Sequence, residues 1–120
     1  MISHTVECAN CLVKIGSIED NTISAVITDP PYGQSQPIAG DESPYVAADN
    51  LQSMLAACSG KLKRGAHIAV FWSSINSDLC IDAVRSAGYT FCRILNMYIP
   101  RGGARPYLGW LPRTQPIILA

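Results

Sequence analysis

The stretch that decides the fold is ISAVITDPPYG, residues 23–33. Its first part, "SAVIT", is almost continuously apolar, which is typical of a strand covered on both faces. Two adjacent prolines cannot donate to a sheet ladder, so the strand must end before Pro30. The stretch therefore predicts a buried strand that presents Asp29, Pro30, Pro31 and Tyr32 at its carboxyl end.

The rest of the chain alternates strand and helix patterns around this stretch. The predicted order is a strand at 5–10 ("TVECAN"), a short helix at 11–20, the strand at 24–28, a polar loop at 33–44, a helix carrying apolar residues from 51 to 62, a strand at 67–72, a helix from 76 or 77 to 87, a strand at 90–99, a basic loop at 99–114 and a strand at 116–120. This order predicts one α/β domain over residues 1–120, with three layers and a mostly parallel sheet. In such sheets, ligands bind beyond the carboxyl ends of the strands.

Composition places the chain among compact globular proteins. Of the 120 residues, 48% are hydrophobic and 15% are charged. The start shows no basic region followed by an apolar stretch, and no apolar run approaches the roughly 18 residues that a membrane helix needs. We therefore expect a cytoplasmic protein without a membrane partner.

The net charge of zero conceals an asymmetry between the two halves of the chain. Residues 1–50 carry seven acids and one lysine, whereas residues 51–120 carry eight lysines or arginines and two acids. No acid follows Asp82, but five arginines do, among them Arg101, Arg105 and Arg113. The second half is suited to a polyanion, although solvated loop arginines would give the same pattern.

The five cysteines are an odd number spread mostly through apolar segments. Cys8 and Cys11 form a CxxC pair, but no second pair follows at the spacing of a zinc site. The pattern favours reduced, packed thiols over a disulfide framework, and no metal site is predicted.

The Asp-Pro-Pro-Tyr tetrapeptide offers a specific set of chemical groups. Asp29 provides a carboxylate, the prolines leave carbonyl acceptors on a rigid backbone, and Tyr32 provides a flat ring. Two acceptors that hold the hydrogens of a nucleobase amino group would aim its lone pair at an electrophilic methyl group. The base would have to leave the duplex stack, and the tyrosine ring would partly replace its stacking.

"TDPPYG" at the end of an apolar strand resembles the catalytic motif of the DNA amino-methyltransferases, which act on adenine N6 or cytosine N4. The order of the segments is similar to the permuted members, in which the catalytic half comes first. The resemblance implies a partial Rossmann-like methyltransferase fold, S-adenosylmethionine as cofactor, and a catalytic role for Asp29, Pro30, Pro31 and Tyr32. It also implies that Asn10, where the family has an acid, contacts the cofactor together with Asp29. The family's glycine-rich cofactor half has no counterpart, so residues 1–120 are expected to be the catalytic half alone.

The sequence thus predicts a DNA methyltransferase of the restriction-modification type that prefers adenine N6, with Arg101, Arg105 and Arg113 on DNA phosphates. Two alternatives stay open: a non-catalytic remnant or partner subunit that binds nucleic acid, and an RNA or protein-glutamine N-methyltransferase. In the fold that the resemblance implies, the strands of the absent cofactor half lie between "TVECAN" and "SAVIT". Without them, the edge of "SAVIT" would be unpaired. We expect either that "TVECAN" pairs with it within the chain or that two chains associate across it.

Overall fold

The strand that ends before Asp29 lies at one edge of a four-stranded sheet. The computed structural model describes residues 2–33, 39–100 and 114–120. The elements in chain order are α1 (Cys11–Gly16), β1 (Ile23–Thr28), α2 (Pro44–Ala57), β2 (Leu62–Phe71), α3 (Ser77–Ser86), β3 (Arg93–Tyr98) and β4 (Thr114–Leu119).

The strand order across the sheet is β1-β2-β4-β3. β1 pairs with β2 in parallel, whereas β4 is antiparallel to both β2 and β3. Three of the four strands therefore run in the same direction, and β4 is the reversed one. Because β1 and β2 are parallel, their carboxyl ends meet at one edge of the sheet, and β4 begins at that same edge.

The core lies between the sheet and the helices α2 and α3. Alternate residues of β2 and the residue after it, Ile68, Val70 and Trp72, are completely or almost completely buried, as is Ile118 of β4. They pack on apolar side chains of α2 and α3, including Leu51, Leu55, Cys80 and Val84. The periodicity that predicted these two helices is thus the periodicity of their buried faces.

The opposite face of the sheet is not covered by a described helix. Ile27, Ala69, Leu119 and Arg93 form one row across all four strands on this face. Ile27 is 74% exposed. A cavity of about 370 Å³ lies over this row. Of the three expected layers, the described residues therefore form two.

Two predicted elements need correction. Residues 5–10 form no strand and are exposed, so "TVECAN" does not pair with β1. A lone strand gains hydrogen bonds only from a partner strand, and none is placed beside this segment. The prediction that the free edge of β1 is closed within the chain is therefore wrong.

The helix predicted from residue 51 begins earlier, at Pro44. Ser43 caps it by accepting a hydrogen bond from the backbone N–H of Val46 at 3.2 Å, and Pro44 occupies the first turn, where its missing N–H has no consequence. The helix ends at Ala57, so Leu62, which was predicted on it, is instead the first residue of β2.

Candidate active site at the carboxyl end of β1

Tyr32 is the centre of a hydrogen-bonded cluster at this edge of the sheet. Its hydroxyl donates to Asp29 Oδ1 and accepts from Gln115 Nε2 at 2.8 Å. Three chain segments contribute to the cluster: the turn after β1, the residue after β2 and the start of β4. The sheet topology brings them together, because all three points lie at the end of the sheet where β1 and β2 finish and β4 begins.

The ring of Tyr32 packs against the indole of Trp72. The two ring centroids are 5.7 Å apart and the planes are inclined at 61°, an edge-to-face arrangement. The half-buried ring of Tyr32 thus contacts the core cluster. Trp72 is fully buried and also supports Tyr32.

Trp72 is itself fixed by hydrogen bonds at both ends. Its indole Nε1 donates to the carbonyl of Asn76 at 2.8 Å, and its backbone N–H donates to the carbonyl of Pro116 at 3.2 Å. The first bond ties the indole to the start of α3, and the second ties the end of β2 to β4. The surface on which Tyr32 packs is therefore held by the core of the fold.

The segment after Tyr32 is held by Gly33 and Asp41. The backbone N–H of Gly33 donates to Asp41 Oδ1 at 2.7 Å, and Asp41 is buried. Gly33 has a φ of +74°, and a Cβ there would collide with the backbone of Ser43 and Pro44. Only glycine suits this position, where the turn packs closely against the start of α2.

Asp29 and the two prolines face the solvent edge of the cluster. Asp29 and Pro31 are exposed, and Pro30 is half-buried. Within the described part of the chain, neither proline carbonyl accepts a hydrogen bond. The turn therefore offers the Asp29 carboxylate and two rigid carbonyls to a ligand that can donate hydrogen bonds.

The other predicted site residues are placed differently. Asn10 is the N-cap of α1, and its side-chain oxygen accepts from the backbone N–H of Leu12 at 2.9 Å. Among the described contacts, none links Asn10 directly to the Asp29 cluster. Arg101, Arg105 and Arg113 lie outside the described residues.

The thiols are less uniform than predicted. Cys58 and Cys80 are buried, but Cys8, Cys11 and Cys92 are exposed, so the prediction of packed thiols is wrong for these three. Among the described residues, no group of three or more His, Cys, Asp or Glu side chains is placed to hold a metal ion.

Three groups whose pKa is raised lie in the core or pack against it. Burial raises the pKa of Cys80 to about 12. Burial, and secondarily the Cys11 thiol, raises the pKa of Cys58, and burial followed by Cys58 raises that of Tyr89. These groups stay protonated at neutral pH, which suits a structural role beneath the sheet.

Two residues of this edge were missed by the sequence analysis as members of the site. The sequence analysis assigns no role to Gln115 and places Asp41 in the polar loop at 33–44. Asp41 has no local signal, because the Gly33 N–H from which it accepts lies eight residues earlier in the chain. Gln115 has none, because its partner Tyr32 is 83 residues away in the chain.

The fold is similar to that of solved methyltransferase structures, although no family model and no curated protein matches the sequence. The complex of M1.HpyAVI with SAM is 14% identical, with a TM-score of 0.62 over 92% of this chain and 50% of that one. TTHA0409 of Thermus thermophilus, assigned as a DNA modification methylase, is also 14% identical, with a TM-score of 0.67 over 92% of this chain and 49% of that one. Its complex with S-adenosyl-L-methionine gives a TM-score of 0.62 at 14% identity, over 91% of this chain and 51% of that one.

These matches confirm the predicted fold class. The chain has an α/β, partial Rossmann-like fold of the S-adenosylmethionine-dependent methyltransferase type. It spans about half the length of the structures that it matches. No helix in the described ranges is both long enough and apolar enough to cross a membrane.

Proposed function

We propose that this chain is the catalytic half of an S-adenosylmethionine-dependent DNA methyltransferase, which methylates an exocyclic amino group, adenine N6 in preference to cytosine N4. The observation that carries the proposal is the Asp29–Tyr32 turn at the carboxyl end of β1, in a fold similar to structures solved with SAM. The resemblance of "TDPPYG" to the family motif points in the same direction.

The turn supplies the contacts that an amino group needs. The Asp29 carboxylate and the Pro30 carbonyl would each accept one hydrogen from the amino nitrogen, Pro31 would set the turn, and the ring of Tyr32 would stack on the base. With both hydrogens held, the nitrogen lone pair points away from the ring plane of the base. The lone pair would then be free to take the methyl group that the cofactor would release from its sulfur, and Asp29 or water would accept the surplus proton of the nitrogen.

S-adenosylmethionine would supply a methyl group bound to a positively charged sulfur. The remainder of the cofactor would leave as S-adenosylhomocysteine. The described residues fit only part of such a ligand. The amide nitrogen of Asn10 and the carboxylate of Asp29 are suited to hold its polar groups, whereas the Asn10 oxygen is engaged in capping α1. We therefore expect weak cofactor binding by this chain. Saturable micromolar binding in calorimetry would contradict that expectation.

The decisive experiment measures methyl transfer and DNA binding together. A chain extended by a cofactor-binding half is incubated with DNA and labelled S-adenosylmethionine, and the digested nucleosides are identified by mass spectrometry. N6-methyladenine is the expected product, and Asp29→Ala should reduce its formation by about a hundredfold or more, because a preorganised acceptor is lost. Asp82→Ala, which removes a different exposed carboxylate on α3, is the matched control and should retain activity.

The alternatives give different results in the same experiment. DNA binding without any methylated nucleoside would favour a non-catalytic partner subunit. Methylation of RNA or of a glutamine-containing peptide, with DNA unmodified, would favour the third candidate. N4-methylcytosine as the main product would retain the reaction class and overturn the preference for adenine.

For DNA contacts, we propose that Arg101, Arg105 and Arg113 bind phosphates. Such contacts release condensed counterions, so affinity should fall steeply with salt. Replacing all three arginines with alanine should lower affinity for every DNA sequence. It should also reduce the slope of the logarithm of the binding constant against the logarithm of the salt concentration by about 3. An unchanged salt slope would contradict this assignment.

We also propose self-association across the free edge of β1. β1 pairs with a described strand on only one side, and Ile27 on the uncovered face is 74% exposed. A second chain that adds its own β1 would satisfy these backbone groups. Ile27→Lys should shift a dimer toward monomer in sedimentation, whereas Ile75→Lys, at a residue 75% exposed outside the strands, should not. A monomeric wild-type chain at high micromolar concentration would refute the proposal.

A further inference from the structure

Gln115 contacts the candidate active site from the opposite end of the sequence. It is the second residue of β4, and its amide Nε2 lies 2.8 Å from Tyr32 Oη and 3.5 Å from the carbonyl oxygen of Trp72. The antiparallel pairing of β2 with β4 brings it there. Phe71 pairs with Ile117, and the backbone N–H of Trp72 donates to Pro116, so Gln115 comes to lie beside Trp72.

The hydrogen bonds in this chain of groups have a fixed direction. An amide nitrogen only donates, so Tyr32 Oη must accept the bond from Gln115. The single proton of the phenol is then directed to Asp29 Oδ1. The edge-to-face contact with Trp72 restrains the ring itself. The phenol is thus held at its oxygen from two sides and at its ring from a third.

We propose that Gln115 is a positioning residue that holds the Tyr32 hydroxyl on Asp29 and thereby sets both groups for the substrate base. This inference rests on the proposed function. Gln115 does not itself touch the substrate. It fixes the plane in which the Tyr32 ring meets the base, and it commits Oδ1 of Asp29 to the phenol, which leaves the other carboxylate oxygen for the amino group.

The amide chemistry of Gln115, and not only its shape, matters for this role. A glutamate at position 115 would have the same length but would accept rather than donate at neutral pH. Tyr32 would then have two carboxylates competing for one proton, and its hydroxyl would turn away from Asp29 in part of the molecules. A methionine would fill the same volume and provide no donor. These two substitutions separate packing from hydrogen-bond direction.

The test compares Gln115→Glu and Gln115→Met with the wild-type chain by NMR. The reporter is the ζ-carbon resonance of Tyr32 in a tyrosine-labelled sample, which Tyr32→Phe identifies by its disappearance. Both substitutions should shift this resonance, and glutamate should shift it more. Gln52→Glu, at a half-buried glutamine in α2, is the matched control and should leave it in place.

A second measurement tests whether the Gln115 substitutions change the binding of the target base. Affinity for an oligonucleotide with a mismatched adenine is compared with affinity for the same oligonucleotide with an abasic site, because an unpaired base leaves the stack easily. Gln115→Glu should reduce the adenine-dependent part of the affinity by about tenfold, equivalent to one net hydrogen bond, and Gln115→Met should reduce it less.

The outcomes separate this inference from the proposed function. A Tyr32 resonance that is the same in wild type and both Gln115 variants would overturn the inference even if the chain methylates DNA. A shifted resonance with unchanged adenine-dependent affinity would reduce Gln115 to a structural contact and would overturn it as well. A wild-type chain without DNA binding or methyl transfer, whose Tyr32 resonance still responds to Gln115, would overturn the proposed function and with it the role in base positioning.

Discussion

Gly33→Ala tests how tightly the turn after Tyr32 is held. A Cβ at Gly33 would collide with the backbone of Ser43 and Pro44, which begins α2. Gly65 offers a matched control, because its φ of +79° is close to the +74° of Gly33 while nothing lies within 4 Å of its added Cβ. The two substitutions therefore carry a similar backbone penalty and differ in the collision.

The difference in the free energy of unfolding between the two variants follows from two contributions, because a third is common to both. A left-handed backbone costs alanine about 1–2 kcal/mol at either position. At Gly33, the displaced backbone adds about 1–3 kcal/mol of overpacking. It also stretches the hydrogen bond from Gly33 N to the buried Asp41 carboxylate, which is worth about 1.5–3 kcal/mol. Gly33→Ala should therefore be less stable than Gly65→Ala by about 4 kcal/mol.

Urea unfolding of the two variants measures this difference, and the Tyr32 resonance reports whether the turn has moved. We expect a lower midpoint and a shifted resonance for Gly33→Ala, and an unshifted resonance for Gly65→Ala. If the two variants unfold within about 0.5 kcal/mol of each other and the Tyr32 resonance is unchanged, the close approach of Gly33 to α2 is refuted.

Three further predictions concern the core. With a thiol reagent, the three exposed cysteines should react in the native protein, whereas Cys58 and Cys80 should react only on unfolding. The folded pKa of Cys80 is raised from 9.0 to about 12, so its contribution to stability is complete below pH 9 and is lost as the pH rises toward 12. The loss totals about 4 kcal/mol, and Cys80→Ala should remove this part of the alkaline slope. Tyr89→Phe should cost about 1 kcal/mol in urea unfolding, because it removes the 2.9 Å bond to the Leu55 carbonyl, which keeps its bond from the Cys58 N–H; a loss above about 3 kcal/mol would contradict this account.

Local patterns were sufficient to predict the strand that carries the motif. The apolar run at 24–28 and the two prolines after it predicted a strand that ends before Pro30, and β1 ends at Thr28. The apolar spacing from residue 80 to 87 likewise predicted α3, whose buried side includes Cys80 and Val84. These predictions succeeded because burial and backbone chemistry at these positions agree over a short stretch.

Elements failed where the deciding contact is distant or where two signals compete. The pattern of "TVECAN" suits a strand, but a strand forms only beside a partner strand. Local sequence does not show whether this segment will pair with one. For α2, the Ser43–Pro44 start was legible, yet the apolar periodicity that begins at Leu51 outweighed it. The first turn of a helix often lacks apolar residues, so periodicity alone places its start too late.

The helix-covered side of the sheet also explains which parts of the site this chain can hold by itself. Trp72 is buried between the sheet and the helices, and it fixes Tyr32, which in turn bonds to Asp29. The geometry of the turn therefore depends on the core that is present and not on whatever covers the opposite face. Asn10 belongs to no such network with Asp29, since it caps α1 at the exposed start of the chain. The amino-group end of the proposed site is thus preorganised by this chain, whereas the cofactor end depends on contacts that the described residues do not supply. Methyl transfer should therefore be more sensitive than base binding to any partner that covers the open face of the sheet.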